Sequence, residues 1–287
     1  MKGAVTEMIA IARNVAELRS AVSDWRKAGQ SVALIPTMGA LHAGHLALVE
    51  RGKTLCDRTV TSIFVNPMQF GPGEDLSRYP RDEEGDRQKL GEAGCDLVYL
   101  PSAAEMFPEG FLTTVESGRL GETLEGHFRP GHFSGVATVV TKLLLQAAPD
   151  GACFGEKDYQ QLQIIRRLVR DFDLPVRIEA VPTVREADGL ALSSRNAYLT
   201  PEQRRRAPAL HYALTEVARR ARKGDPAAAA WGTHSLIGAG FDKIDYCDIR
   251  DAETLEPIEH IDRKARVLAA AWLGQTRLID NLPIDPP

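Results

Sequence analysis

The chain has 287 residues, of which 44% are hydrophobic and 26% charged, and its 39 acidic and 35 basic side chains give a net charge of −4. That length suits one large or two modest domains, with a core that needs no disulfide or metal staple. The near-neutral balance excludes a protein that tracks nucleic-acid phosphates with a basic stripe, and the densest cluster, Arg204, Arg205 and Arg206, reads as a solvated helix face.

In chain order, residues 31–35 form an apolar run ending at Pro36 and read as a strand, and a Gly-containing turn leads to a helix over 45–55. Residues 59–65, β-branched and closed by Asn66-Pro67, predict a second strand. A helix with one polar face over 82–93 and a strand over 96–100 follow. Helices over 135–147 and 159–172 alternate with strands over 151–154 and 176–181. Near-continuous apolar strands between amphipathic helices imply an α/β fold with a parallel sheet covered on both faces. Ligands of such sheets lie beyond the carboxyl ends of the strands.

The pattern changes near residue 185. A polar loop over 186–200 leads to Thr200-Pro201, a helix cap with proline in the first turn, and the helix is expected to reach about residue 222. Asp225-Pro226 opens another helix, and strands over 244–249, 266–271 and 277–279 complete a smaller α+β unit. The expected domains are 1–184 and 185–287. Cys56, Cys95, Cys153 and Cys247 form no CxxC pair, so buried free thiols are expected rather than zinc ligands. With no leader-like segment and no run of about 18 apolar residues, the expected setting is the cytoplasm, away from membranes.

Four stretches carry chemistry. Pro36-Thr37-Met38-Gly39-Ala40-Leu41-His42-Ala43-Gly44-His45 joins a strand to a helix, where free backbone N–H groups suit phosphate. His42 and His45, three apart, share a face and can donate to phosphate oxygens as charge builds; a capping turn with two surface histidines is the plainer alternative. Next comes Val65-Asn66-Pro67-Met68-Gln69-Phe70, which sets amides beside an apolar wall. In Phe154-Gly155-Glu156-Lys157-Asp158-Tyr159-Gln160-Gln161, Lys157 offers a point charge for a triphosphate, Asp158 a cap or a ribose acceptor, and Gln161 lies one turn up the same face. Gly189-Leu190-Ala191-Leu192-Ser193-Ser194-Arg195-Asn196 reads as a closing clamp or a capped surface turn. Between these lies 125–135, a Gly- and aromatic-rich loop in which Arg129 can meet an anion.

The H-x-G-H run after a strand resembles the signature of the nucleotidyltransferase superfamily. VNPMQF, FGEKDYQQ and LSSRN, in that order over almost the whole chain, resemble the pantothenate synthetase family within it. Leu192 stands where many members have Met, and only about the first ten residues read as an added tail. The resemblance implies a Rossmann-like N-terminal domain, a smaller C-terminal lid and a homodimer. It implies that (R)-pantoate, β-alanine and ATP give pantothenate, AMP and pyrophosphate through pantoyl adenylate.

Within that resemblance His42, His45, Lys157, Ser193, Ser194 and Arg195 are the expected catalytic residues. ATP contacts are expected from Met38, Gly39, Ala40, Leu41, His42, Ala43, Gly44 and His45, from Gly155, Glu156, Lys157 and Asp158, and from Val184, Leu192, Ser193, Ser194 and Arg195. Pantoate contacts fall to Met38, Asn66, Gln69, Arg129 and Gln161. Mg²⁺ is implied as the partner of ATP, mainly on phosphate oxygens and water, and no protein ligand is assigned to it. Two competing readings stay open: a nucleotidyltransferase of other specificity, such as a cytidylyltransferase, and a non-catalytic nucleotide- or RNA-binding module. Product analysis and turnover respectively separate them from the ligase.

Overall fold

The computed structural model describes residues 9–286. Of the expected N-terminal tail, residues 1–8 lie outside the described residues. The described residues open with β1 (Ala10–Ala12) and α1 (Val15–Lys27), two elements that the sequence does not predict. Asn14 caps α1 by accepting the Glu17 N–H, and Leu18 and Val22, four apart, form its buried stripe. There follow β2 (Val32–Thr37), α2 (Ala43–Leu55), β3 (Arg58–Ile63), α3 (Glu83–Glu92), β4 (Leu97–Tyr99) and the single turn α4 (Ala103–Met106). After a loop come α5 (Glu125–Phe128), α6 (His132–Ala147), β5 (Gly151–Gly155), α7 (Tyr159–Asp171) and β6 (Arg177–Val181).

All six strands are parallel, in the order β1-β4-β3-β2-β5-β6. The chain lays β3 and β4 to one side of β2, then returns to lay β5 and β6 on the other. The winding reverses between β2 and β5, and such a reversal opens a crevice at the carboxyl ends of the two strands. Val32 and Leu34 pack with Leu18, Val22, Val136 and Leu162 of α1, α6 and α7. Ile35 points the other way, to Leu48 of α2, and Val98 meets Val49 and Leu90 of α2 and α3. The sheet is therefore covered on both faces, as the sequence predicts. β2 runs on through Pro36 instead of stopping there. Its ladder with β5 covers only Ala33 and Leu34, so the missing proline N–H falls on the side where β5 has already left.

The C-terminal part comprises α8 (Pro201–Arg206), α9 (Ala209–Arg222), α10 (Ala228–Gly238) and the antiparallel sheet β7 (Lys243–Asp251), β8 (Ala265–Leu273), β9 (Thr276–Ile284). Thr200 and Gln203 form a capping box at the predicted start of α8. The helix expected to run on to 222 is broken at Pro208, which has no N–H to continue the ladder. Leu210, Leu214 and Val217 of α9 and Leu236 of α10 pack on Val267, Ala269 and Ala271 of the middle strand. β9 is longer than expected. It passes Asp280 and Asn281 and tolerates Pro283 because it is an edge strand. No helix among the described residues is long and apolar enough to cross a membrane.

Candidate active site

The crevice at the winding reversal is flanked by two strand-to-helix junctions. At the first, β2 to α2, His42 is the N-cap of α2. Its Nδ1 accepts the Gly44 N–H at 3.2 Å, and the His42 N–H is donated to Nδ1 of His45 at 3.3 Å. An imidazole that accepts at Nδ1 and is neutral carries its proton on Nε2. Both rings are neutral at pH 7. Burial, then the Lys157 ammonium, lowers His42 to about 4, and burial, then the His42 ring, lowers His45 to about 3. The rings lie 4.1 Å apart between centroids. A side chain at Gly44 would meet the His42 ring at 2.9 Å, so the motif needs its glycine to let the imidazole fold back over the helix start.

This helix end has fewer unengaged N–H groups than the sequence suggests. The Ala40 and Leu41 N–H groups are donated to Asp86 at 2.8 and 2.7 Å, and those of His42 and Gly44 go to the imidazoles. Leu41 is core. Met38, His42, Gly44 and His45 line the crevice, and Gly39, Ala40, Leu41 and Ala43 are not among its lining residues. The side-chain donors of His42 and His45 therefore face the ligand space together with few backbone donors, since Ala40, Leu41, His42 and Gly44 have theirs engaged.

Asn66 and Gln69 come from the turn after β3. The Asn66 amide is consumed internally: Oδ1 accepts from Met68, and Nδ2 donates to Gln69 Oε1 at 3.0 Å and to the Gly135 carbonyl at 3.1 Å. It braces Gln69, whose Nε2 reaches Met38 Sδ at 3.2 Å. Gly135 has to be glycine, since a Cβ there would fall 2.3 Å from the Met68 carbonyl oxygen. Arg129, expected on an anion, is held by both oxygens of Glu74 at 2.9 and 2.6 Å and by His132 at 3.1 Å. Burial, then Arg129, lowers His132 to about 4, so it too is neutral.

At the second junction, β5 to α7, Gly155, Lys157, Asp158 and Gln161 line the crevice, and Lys157 Nζ stands 3.7 Å from Asp158. Glu156 does not face it: Arg266 of β8 takes its carboxylate at 2.8 Å. Asn281 of β9, 2% exposed, donates to the Glu156 and Lys157 carbonyls at 2.9 and 2.8 Å. Arg266 in turn stacks on Tyr159, 3.7 Å from its ring centroid. Neither Asn281 nor Arg266 was legible in the sequence as a partner of this loop.

The 184–196 segment closes the crevice from the C-terminal side. Val184, Leu192, Ser193, Ser194 and Arg195 line it, and the Leu192 N–H is donated to the Val184 carbonyl at 3.0 Å. Ser194 donates to the Ala40 carbonyl at 3.2 Å. Arg195 is held by Asp75 through two bonds of 2.9 Å. Burial pushes the Asp75 carboxyl up, but the Arg195 bonds outweigh it and hold it below the usual range. Glu74 and Asp75, adjacent on one loop, thus restrain Arg129 and Arg195.

The histidines occupy a cavity of about 220 Å³. It shares Lys157, Asp158, Gln161 and Arg195 with a larger one of about 440 Å³ that runs out between the two sheets. Two neutral N–H donors, one ammonium and a restrained guanidinium converge on this space, as a reaction that spreads negative charge over phosphate oxygens requires. Among the described residues no group of three or more His, Cys, Asp or Glu could hold a metal ion.

The profile of the pantoate–β-alanine ligase family matches residues 10–283. The pantothenate synthetase of Paramagnetospirillum magneticum is 61% identical over 278 residues, covering 96% of this chain and 98% of that protein. The crystal structure of pantothenate synthetase from Thermus thermophilus superposes with a TM-score of 0.92 at 50% identity, covering 97% of this chain and 100% of the other. The Francisella tularensis pantoate–β-alanine ligase, solved in complex with β,γ-ATP and β-alanine, reaches 0.82 at 35% identity over 96% of this chain and 97% of its own.

Proposed function

Because this chain belongs to the pantoate–β-alanine ligase family and is an ATP-dependent ligase of that kind, we propose that it forms pantoyl adenylate where the two junctions meet. A carboxylate is a poor acyl donor, and its transfer to AMP supplies a good leaving group without any protein nucleophile. The work of the protein is to hold the pantoate carboxylate in line with the α-phosphate and to meet the charge that develops. The observation that carries this reading is the pair of backbone N–H contacts that fix both imidazoles as Nε2–H donors.

In this scheme His42 and His45 donate to the α-phosphate, and Lys157, Ser193, Ser194 and Arg195 take the triphosphate. Arg195 leaves Asp75 to do so. Gln69 and Gln161 receive pantoate over the wall made by Met38, with Asn66 bracing Gln69. Gly155, Asp158, Val184 and Leu192 line the nucleotide's side of the crevice. Arg129 and His132 line the crevice as well, with Arg129 held by Glu74 beside the pantoate side. β-Alanine then attacks the acyl carbon as the free amine, with the 184–196 segment keeping water out.

Mg²⁺ would supply charge neutralisation on the triphosphate, held mainly by phosphate oxygens and water, and the half-exposed Asp158 beside Lys157 is the carboxylate that could reach it. The division at 184/185 is supported by β6 ending at Val181 and by Leu190 joining the C-terminal core. Homodimer formation would find exposed apolar side chains in Leu112 and Leu145. Four free cysteines suit a reducing, cytoplasmic setting.

The deciding experiment measures AMP, pyrophosphate and amide product with ATP, Mg²⁺ and (R)-pantoate, with and without β-alanine. Sustained AMP release matched by pantothenate, and only with both substrates present, is expected. A product that retains the nucleotidyl group, or no AMP with either mixture, would sink the reading.

A further inference from the structure

We propose that Asp86 is a positioning residue for adenylation: its buried carboxylate fixes the turn at Gly39–Leu41 from which His42 and His45 are aimed. The inference rests on the roles just given to the two histidines.

Asp86 lies in the first turn of α3, is 1% exposed, and lines neither cavity. It cannot touch substrate from there. What it touches is the turn. Oδ2 accepts the Ala40 N–H at 2.8 Å and Oδ1 accepts the Leu41 N–H at 2.7 Å. Ala40 has φ of 51°, a left-handed conformation that a residue with a Cβ adopts only when its surroundings impose it. Gly39 precedes it at φ of 84°, and a Cβ there would stand 3.0 Å from Asp86 Oδ2, so the backbone is pressed against the carboxylate.

Lys89, on the same side of α3, donates to the Leu41 carbonyl at 2.9 Å and sits 3.8 Å from Asp86 Oδ1. Leu41 is therefore gripped at its N–H by one side chain of α3 and at its carbonyl by another. The next residue is His42. Any rotation of the turn would carry the His42 cap with it and change which imidazole nitrogen accepts from the backbone. On the opposite side the Ala40 carbonyl accepts from Ser194, so the same turn also registers the closing segment against the histidines.

A carboxylate suits the place better than an amide. Two N–H groups converge on its two oxygens, and asparagine has only one oxygen to offer and would turn an NH₂ toward the second donor. A divalent cation would have to displace both N–H groups and would meet the Lys89 ammonium.

The test is Asp86→Asn in the full-length protein, read by ¹⁵N NMR of the histidine rings and by single-turnover formation of pantoyl adenylate. The native protein is expected to show His42 and His45 protonated at Nε2. In the variant those signals should shift toward mixed tautomers, and the adenylation rate should fall about 10²-fold, the scale of an ångström-level misplacement, while KM for ATP and for pantoate moves little. Unchanged ring signals with a lowered rate would overturn the proposal. So would recovery of the rate at saturating Mg²⁺, which would make Asp86 a metal ligand. Altered signals with an undiminished rate would overturn it differently, by removing the histidines from the reaction. If the asparagine variant does not fold, Lys89→Met, which releases the Leu41 carbonyl and removes the ammonium beside Asp86 but leaves both N–H bonds to the carboxylate, carries the same readouts with a smaller expected loss.

Discussion

The two junctions that meet at the crevice are built alike and held by different parts of the molecule. Each follows a central strand next to the winding reversal, and each delivers cationic or N–H-donating side chains at a helix start. The first is held mainly from within the N-terminal part: Asp86 and Lys89 of α3 grip its turn, its imidazoles cap its helix, and Ser194 of the closing segment adds one bond to the Ala40 carbonyl. The second is held from outside. Asn281 and Arg266 reach it from the antiparallel sheet, and Tyr159 at its helix start donates to the Ala252 carbonyl at 2.7 Å. The C-terminal sheet is thus more than a cover over the crevice. It forms part of the mould that shapes the Lys157 loop, and geometry lost on β9 should reach the triphosphate before it reaches the histidines.

That contrast can be broken most forcefully at the side chains themselves. His45→Ala should lower single-turnover adenylation by about 10²–10³-fold, the usual cost of removing one donor aimed at transition-state charge, with secondary structure unchanged. A near-native rate would take His45 out of the mechanism.

A smaller effect is expected from the outside support. Asn281→Ala removes two bonds to the Lys157 loop and should raise KM for ATP about thirtyfold, in keeping with roughly 1 kcal/mol for each of the two hydrogen bonds. Its histidine ring signals should match those of the native protein. If they move, the two junctions are not held independently and the contrast fails.

The smallest effect is in pH. His42, His45 and His132 are buried neutral, with values lowered to about 4, 3 and 4. As pH falls, the unfolded chain takes up protons near 6.5 while the folded one does not, so stability from the neutral rings is full above 6.5 and is lost as pH falls toward 4 and 3. Thermal melts should record a falling midpoint across that window, and His132→Gln should flatten part of it. The adenylation rate should have no limb near 6.5, because the donors work as neutral rings. A limb there would mean that one imidazole exchanges its proton during turnover.

The alternation of apolar strands and amphipathic helices predicts the sheet, and the motif positions at strand ends mark both junctions. Elements were missed where the periodic signal is short or diluted by charge, as in three-residue β1 and in α1, whose buried stripe rests mainly on Leu18 and Val22. The α8–α9 break has its mark in the sequence at Pro208, a signal that the surrounding helix-forming residues mask. Asn66, Glu156 and Arg129 illustrate another difficulty. Each sits in a motif and has suitable chemistry, yet its polar atoms are engaged by partners far along the chain, Gly135, Arg266 and Glu74.

By itself the sequence determined which residue types stand at each strand end and therefore what kind of chemistry the crevice hosts. Those are local properties, set by spacing, glycine and the start of a helix. Only the tertiary structure decided which donors remain available to a ligand. A backbone N–H has one proton to donate, and whether it, or the Glu156 carboxylate and the Lys157 loop carbonyls, meets a ligand or Asp86, Arg266 and Asn281 depends on groups tens of residues away that folding brings within 3 Å.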